Sequence, residues 1–572
     1  GSRLADAPPP FRDILERLQR IAGDQTLAVA AQESGGGAGD ASLHSAVPPP
    51  APRTEVAVVT CDVATTTDLW STAPTAMRDA LVLHNAELRA LMPVYGGYEV
   101  RGSSDGTVLT AVFSDPVRAA EFCLEAQLQL IDADWPNAVL KLPECGTVLP
   151  TSPDDEPASP DVTASGKKKK KKSKKTAALF RGPRARSSIH LGVPEHVRDE
   201  LTGRIDFMGQ VVEYTHKIRR YAHGGQIVVS KAVFDKLETK LAALGQAERA
   251  PLVKKLPKAQ AKGVPSGESL RYMLPKQLAA REFADGKSPA VLSPGYIVSA
   301  DDVEFDERDS IGLGSYGEVF LGDYADTPVA VKKLFQQRPK EALLLDFRAE
   351  LARIAQLAHE NLAPFIGGST TVQHLLIVHE FVPSTLAVLI ADTDQEFTWI
   401  NKLKIALGVA EALEYLHGLR PEQILHHNLK LSNVLLEEDF TPRLADFGFD
   451  KIKAICHTMS KSALPGWAPP EVLQGLPYSE KSDIFNCGML YWQIVTRDSE
   501  AFSNVTLRDV LSGASTAGLS IPEDTPEEFV ALLKKCWHNK VDKRPSAKKL
   551  SRELRAMRDE MIDSSESASD SS

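Results

Sequence analysis

Hydrophobic and polar positions along the chain fall into two long patterned stretches, flanked and separated by segments too polar to pack. "FRDILERLQRIA" (11–22) places apolar residues at 11, 14, 15, 18, 21 and 22, the spacing of a short amphipathic helix. "ESGGGAGDASLHSAVPPPAP" (33–52) has almost no large apolar side chain and reads as a flexible linker. From Thr54 the pattern alternates. "EVAVVTCDV" predicts a buried strand, and "TAMRDALVLHNAELRALMPVYG" a helix ending at Gly96-Gly97. "YEVRGSSDGTVLTAVF" predicts a hairpin, and "PVRAAEFCLEAQLQLIDADW" a second helix. A low-complexity insertion follows near 136–184, holding "SPDDEPASPD" and "KKKKKKSKK" (167–175). Order resumes at "RSSIHLGV" and runs to about "LRYMLPKQL". A second linker at 283–299 leads to a larger patterned block, 300–560. The acidic, Ser-rich end of the chain, 561–572, is expected to be disordered.

At 572 residues the chain exceeds what one core organises, so two or three domains are expected. Its 43% hydrophobic and 25% charged residues are ordinary for globular protein, and the net charge of -10 argues against a protein built around nucleic acid. The six cysteines show no CxxC pairing, which predicts free thiols in a reducing interior. No apolar run reaches the roughly 18–20 residues of a membrane span, so a cytoplasmic protein is expected. Gly1-Ser2 resembles an expression scar, so natural sequence upstream of it is an expectation. The lysine run has three open readings: a nuclear-import signal, a patch for anionic surfaces, or a solvated loop partly neutralised by the acidic segment before it.

The C-terminal block carries ordered chemistry. "IGLGSYGEV" (311–319) sets Gly312, Gly314 and Gly317 between strand-like segments, where backbone N–H groups can approach phosphates. "VAVKKL" carries Lys332, and a helix eighteen residues on presents Glu350. "LLIVHEFV", "ILHHNLKLSNVLL", "ADFGF", "PGWAPPE", "SDIFNCGMLYWQI" and "KRPS" follow in order. Singly, each Gly or Asp here is a turn residue. Jointly they resemble the protein kinase fold, and Lys430 places the block nearest the tyrosine-kinase-like group, whose members mainly phosphorylate Ser and Thr.

That resemblance implies a site for ATP and Mg2+. Ile311, Gly312, Gly314, Gly317, Val319, Ala330 and Leu435 would enclose the nucleotide, with Glu380 to Val382 bonding adenine behind the gatekeeper His379. Lys332 and Glu350 would pair at the phosphates, and Asn433 and Asp446 would hold the metal. Asp483 would brace the catalytic loop, and Glu471 would pair with Arg544. Two positions of the catalytic loop depart. Asn428 stands where the family keeps its catalytic Asp, and His427 where it keeps an Arg that reads an activation-loop phosphate. An amide can accept a hydrogen bond but cannot take the substrate's proton, a loss of roughly 10²–10⁴-fold in rate. Thr458, Ser460 and Ser462 then lack their phosphate receptor. Neither His426 nor His427 is expected to serve as the base.

"VAVVTCDVATTTDLW" and the hairpin after it resemble the metal-binding strands of class III adenylyl and guanylyl cyclases, with Asp62 and Asp105 as ligands. The base-reading Lys of that family aligns with Arg101 and its partner Asp with Asp206. The complementary Asn and Arg align with Glu213 and Lys217. A carboxylate there repels a triphosphate, and Lys lacks the planar fork of Arg. A homodimer would therefore hold no complete site. The domain either pairs with a partner cyclase subunit or serves as a non-catalytic dimerisation module.

The expected fold class is α+β and multidomain. A short helix and linker (1–53) precede a ferredoxin-like class III cyclase domain (54–282) and a bilobal protein kinase fold. The expected function is an ATP-binding signalling protein with a pseudokinase or weakly active kinase domain and a degenerate cyclase domain for dimerisation or regulation. An active Ser/Thr kinase tolerating Asn428 and the metal-bearing subunit of a heterodimeric cyclase remain open.

Overall fold

The computed structural model describes residues 54–572 apart from 65, 101–105, 151–177, 199–203, 245–249, 258–267, 284–293, 315, 336–340, 372–373, 451, 454–467, 499–518 and 570–572. The helix expected at 11–22, the linker 33–52, the lysine run, Arg101, Asp105, Thr458, Ser460 and Ser462 lie outside the described residues.

The N-terminal layer is built on β1 (Val56–Val63), buried along its whole length. Alternate side chains serve two cores. Ala57, Val59, Cys61 and Val63 face one apolar cluster, while Val56 and Val58 join Tyr98, Val112 and Phe207 in another. After β1 come α1 (Thr66–Thr72) and α2 (Pro74–Leu91), then a 3-10 turn closed by Gly96 at φ +71°. The predicted hairpin is present as β2 (Gly97–Val100) and β3 (Leu109–Phe113), paired with Tyr98 opposite Val112. α3 (Pro116–Asp132) starts at Asp115, whose carboxylate accepts the Val117 N–H at 2.9 Å.

The flanks of the expected insertion are folded. α4 (Asn137–Leu140) buries Val139, and Val148 bridges to Phe180 across the excursion, with Trp135, Cys145 and Leu179 also buried. The apolar residues on either side of the charged segment close onto each other. Then follow β4 (Ala185–Gly192), β5 (Glu195–Arg198), β6 (Ile205–Met208), α5 (Gln210–Arg219), β7 (Ile227–Val229), α6 (Lys231–Leu244), β8 (Leu252–Lys255) and β9 (Arg271–Leu274). The main sheet runs β2-β3-β1-β4-β7-β9-β8, with β4 and β7 parallel. β5 and β6 form a separate ribbon. The five cysteines described are free and buried.

In the C-terminal block, β10 (Val303–Leu313), β11 (Gly317–Tyr324), β12 (Thr327–Leu334), β13 (Phe365–Thr371) and β14 (His374–Glu380) form an antiparallel sheet in the order β10-β11-β12-β14-β13. α7 (Glu341–Ile354) packs beside it. The expected 283–299 linker ends inside this lobe: Ile297 bridges Gly368, and Val298 is buried. The second lobe is mainly helical. It holds β15 (Ser384–Thr385), α8 (Leu386–Ala391), α9 (Trp399–Gly418), β16 (Val434–Leu436), β17 (Pro442–Leu444), α10 (Pro470–Leu473), α11 (Glu480–Thr496), α12 (Glu527–Cys536) and α13 (Ala547–Ser569). α9 and α11 are buried on nearly every side. α13 continues into the segment expected to be disordered, its backbone helical as far as Ser569.

Candidate functional site

Lys332 sits in mid-β12, between Val319 of β11 and Ile377 of β14, so the sheet fixes its position. Its ammonium is ion-paired with Asp446, and both side chains are largely buried. Tyr316, from the glycine loop, closes over the pair. Its hydroxyl donates to Asp446 Oδ1 at 2.6 Å, and the Lys332 ammonium lies 3.9 Å from its ring centroid. Tyr316 is 1% exposed. The glycines permit this descent, because a Cβ at Gly314 would lie 3.1 Å from the Gly317 carbonyl oxygen and 3.4 Å from Lys332 Nζ.

Asp446 takes further donors. The Asn428 amide donates to its Oδ2 at 2.6 Å, and Asn433 Nδ2 lies 3.4 Å from the same oxygen while donating to the Asn428 carbonyl at 2.7 Å. Lys453 donates to the Asp446 carbonyl at 2.6 Å. Burial alone would raise the Asp446 carboxyl. The charges of Lys332 and Lys453, with the Lys332 and Tyr316 hydrogen bonds, overcome it and hold the group ionised far below the usual carboxylate range. Positive φ at His427, Asp446 and Phe449 marks the same corner as locally strained.

The supporting frame matches the sequence expectations. Asp483 accepts the backbone N–H groups of His426 (2.9 Å) and His427 (3.1 Å), the Tyr478 hydroxyl (2.6 Å) and the ring of His417 (2.9 Å). Arg544 holds Glu471 in a two-pronged pair at 2.7 and 2.9 Å. His426 is fully buried, its Nδ1 beside the Asn428 N–H, and burial pushes its pKa down to about 4. It is a neutral structural imidazole. His427 stacks on Tyr478 with centroids 4.3 Å apart and lies 3.4 Å from Asp450. Neither histidine is directed at Asp446 by any hydrogen bond among the described residues.

Glu350 of α7 lies 3.7 Å from Arg353, and a Cβ at Gly448 would come within 3.6 Å of its carboxylate. Among the described residues the Lys332 ammonium pairs with Asp446, where the family resemblance implies Glu350. Of the remaining nucleotide residues, Ile311 is half exposed, Val319, Ala330 and Leu435 are partly buried, Val382 is buried, and Glu380 is exposed with its N–H on Pro364. Lys430 is partly buried, and its carbonyl accepts the Asn433 N–H at 3.0 Å. His379 is partly buried, and burial together with the charge of Lys332 pushes its pKa down to about 4.

The fit of this site to Mg–ATP can be tested on its donors. Asp446 and Asn433 put a carboxylate and a rotatable amide on one spot, oxygen donors suited to a hard divalent cation. Lys332 at the glycine loop suits a phosphate. The site fits, provided Tyr316 swings out and Lys332 parts from Asp446. The bound metal would neutralise phosphate charge.

Asp62 of β1 is placed differently from a metal ligand. Arg186 of β4 grips its carboxylate at 2.8 and 3.1 Å, and Arg219 of α5 adds a contact at 3.2 Å. Arg186 is 2% exposed and also donates to the Ala222 carbonyl at 3.1 Å. Two guanidinium groups already balance this carboxylate, and their charge opposes a divalent cation beside it. Asp62 as found does not fit the metal role. Among the described residues no cluster of three or more His, Cys, Asp or Glu forms a metal site. Asp206 lies 3.7 Å from Arg204, while Glu213 and Lys217 stand exposed one turn apart on α5.

Comparison with known proteins agrees with this division. Residues 305–554 match the family model of protein tyrosine and serine/threonine kinases. Residues 49–264 match that of the adenylate and guanylate cyclase catalytic domain. The chain joins a cyclase domain to a protein kinase domain. A protein of Acanthamoeba polyphaga mimivirus, provisionally named a serine/threonine-protein kinase/receptor, is 31% identical over 541 residues, 88% of this chain and 31% of that protein. A second mimivirus protein of the same provisional name is 31% identical over 538 residues, 86% of this chain and 30% of its own length. A Dictyostelium discoideum protein provisionally named a serine/threonine-protein kinase is 33% identical over 239 residues, 41% of this chain and 18% of that protein. The chain thus spans about a third of the viral relatives and takes in both domains. Among the described residues no helix is long and apolar enough to cross a membrane.

Sequence reasoning missed two residues of the kinase-domain site. Tyr316 occupies a variable position inside the glycine loop, and Lys453 follows the Asp446-Phe447-Gly448 triplet by five residues. An aromatic between the glycines was a readable signal. Lys453 had none, because its role comes from the turn that brings its ammonium back to the Asp446 carbonyl.

Proposed function

We propose that this chain is an ATP-binding signalling module whose kinase domain binds Mg–ATP but transfers phosphate poorly or not at all, and whose cyclase domain is regulatory. One observation carries the reading. The side chain at the catalytic-base position, Asn428, spends its amide N–H on Asp446 at 2.6 Å. It acts there as a donor to the metal-binding carboxylate, and an amide has no basic site for a substrate hydroxyl's proton. Nucleotide binding uses Lys332, Asn433, Asp446 and the glycine loop, all intact, so binding and chemistry can part. On the cyclase side, the arginine clamp on Asp62 and the exposed Glu213 and Lys217 support a domain kept for its surfaces, dimerisation among them.

The test measures Mg–ATP affinity and γ-phosphate transfer on one preparation of the whole chain. Binding without transfer is expected. Transfer to a generic Ser/Thr substrate at a rate ordinary for protein kinases, roughly 1–100 per second, that vanishes in Asp446→Ala would overturn the reading. It would establish the second one, an active Ser/Thr kinase tolerating Asn428, which the relatives' names and Lys430 favour.

A further inference from the structure

α7, the helix that carries Glu350, has two apolar faces. Leu343, Leu344, Phe347, Leu351 and Ile354 pack into the kinase core. Leu345 and Ala349 turn the other way and join the core cluster of the cyclase domain, where Leu345 is fully buried. A helix that is apolar on opposite sides needs a second partner. Here the partner is in the same chain.

The contact is built with matched charges. Arg78 of α2 meets Asp346 at 2.8 Å, and both Arg89 and Asn85 of α2 bond Glu341 at the start of α7. At the other end Gln356 donates to the Ser71 carbonyl at 2.8 Å, and the Arg348 guanidinium stands 5.5 Å from the Trp70 ring centroid. The contact also reaches the cyclase hairpin: Asn85 donates to the Gly106 carbonyl at 3.1 Å, and a Cβ at Gly106 would lie 3.1 Å from Glu341 Cγ. Glu341 therefore touches both α2 and the turn next to Asp105.

We infer that the α1–α2 segment of the cyclase domain is an intramolecular docking surface for α7 that keeps the kinase domain in its closed arrangement, with Lys332 bonded to Asp446 beneath Tyr316. The docked helix leaves Glu350 beside Gly448 and Arg353 while Asp446 takes the ammonium. Release of α7 frees that helix to move toward Lys332, and Asp446 and Lys332 become available to metal and phosphate. Rearrangement of the cyclase hairpin, through a partner or a ligand on that domain, is then read out at the nucleotide site. The inference rests on the nucleotide-binding reading above only in its affinity arm.

The test uses the whole chain with Glu341→Arg and Asp346→Arg together, which set cations against Arg89 and Arg78. The rescue adds Arg78→Glu, Arg89→Glu and Glu99→Gln, the last because Arg89 also holds Glu99 at 2.7 Å. Amide hydrogen exchange is followed in α7 and in the 312–320 loop, and Mg–ATP affinity is titrated on the same samples. The release pair is expected to speed exchange in both segments and to tighten Mg–ATP binding on the order of 5-fold or more. The charge swap should return both toward the parent. Faster exchange in α7 alone, with the loop and the affinity as in the parent, overturns the coupling. So does a release pair whose exchange matches the parent throughout. If the parent fails to bind Mg–ATP, the nucleotide-binding reading falls, and exchange in the 312–320 loop decides the coupling by itself.

Discussion

Replacing Asn428 by aspartate restores the family's catalytic residue and, in this structure, sets a second carboxylate against Asp446. The amide now donates to Asp446 Oδ2 at 2.6 Å. Losing a hydrogen bond to a charged acceptor costs about 1.5–3 kcal/mol. Two like charges about 4 Å apart, in an environment of effective dielectric about 20, repel by about 4 kcal/mol. Their sum is an upper bound, because either carboxylate can rotate toward solvent or keep a proton. A net loss of about 2–4 kcal/mol remains, and at about 2–4 °C per kcal/mol for a domain of this size the melting temperature should fall by roughly 4–16 °C.

The pH dependence has a fixed sign. Crowding raises one carboxyl pKa in the folded variant, so its penalty is full above that raised value and shrinks as pH falls toward the ordinary carboxylate range. The assay is thermal unfolding of parent and Asn428→Asp side by side, at neutral pH and near pH 4.5, with and without magnesium. The gap in melting temperature should be widest at neutral pH without magnesium, and should narrow on acidification or when the divalent ion is added. A variant as stable as its parent at neutral pH without magnesium would refute the reasoning, because Asn428 would then not be holding Asp446. Phosphate transfer in the same variant should rise, since the base is regained.

Tyr316→Ala removes a donor and the aromatic cover from the Lys332–Asp446 pair, and should tighten Mg–ATP binding several-fold in equilibrium titration; weaker binding would mean the ring helps hold nucleotide. Arg186→Ala leaves the buried Asp62 with one guanidinium instead of two and should cost about 3 kcal/mol in denaturant unfolding, with no recovery on adding magnesium. Full rescue by magnesium would restore the metal-ligand role. His426 is neutral when folded, with its pKa near 4 against 6.5 in the unfolded chain. Its stabilising share is therefore whole above pH 6.5 and lost as pH falls through that window, about 3 kcal/mol in all at 1.36 kcal/mol per pKa unit. His426→Gln should flatten the acid limb of a stability–pH curve, and an unchanged slope would exclude the imidazole as its cause.

Much of this arrangement was legible because the relevant signals are local. The glycines of 311–319, the strand around Lys332 and the Asp446 triplet each announce themselves within a few residues, and their order fixes the fold. The pairing of Asp483 with the catalytic loop and of Arg544 with Glu471 followed from that order. What escaped was set by distant neighbours. The family resemblance offers Lys332 two carboxylates, Glu350 and Asp446, and sequence spacing cannot say which one holds it when α7 is braced from outside. The basic partners of Asp62 come from β4 and α5, over a hundred residues away. The folded flanks of the lysine-rich insertion were hidden by composition, since Val139, Cys145 and Leu179 are thinly spaced among polar residues. Leu345 was readable. Three consecutive leucines on a helix cannot all face one core.

Both domains answer a carboxylate that their family resemblance assigns to metal with cations of the protein itself, and the two answers differ in how they can be undone. Around Asp62 the cations are guanidinium groups. Arg186 is buried, is fixed by a forked contact, and also bonds a main-chain carbonyl, so withdrawing it would strand both a charge and an acceptor inside the domain. That pair belongs to the fold. Around Asp446 the cation is a lysine on a flexible stem, covered by a tyrosine on a glycine loop and flanked by an amide that can turn over. Each of those partners can move without unmaking a strand or a helix. A ligand can therefore compete for Asp446 at a modest conformational cost, whereas at Asp62 it would have to disrupt the centre of the sheet, where β1 and β4 pack against α5. Any reversible nucleotide signal in this chain should accordingly enter through the kinase domain and use the cyclase domain as its lever.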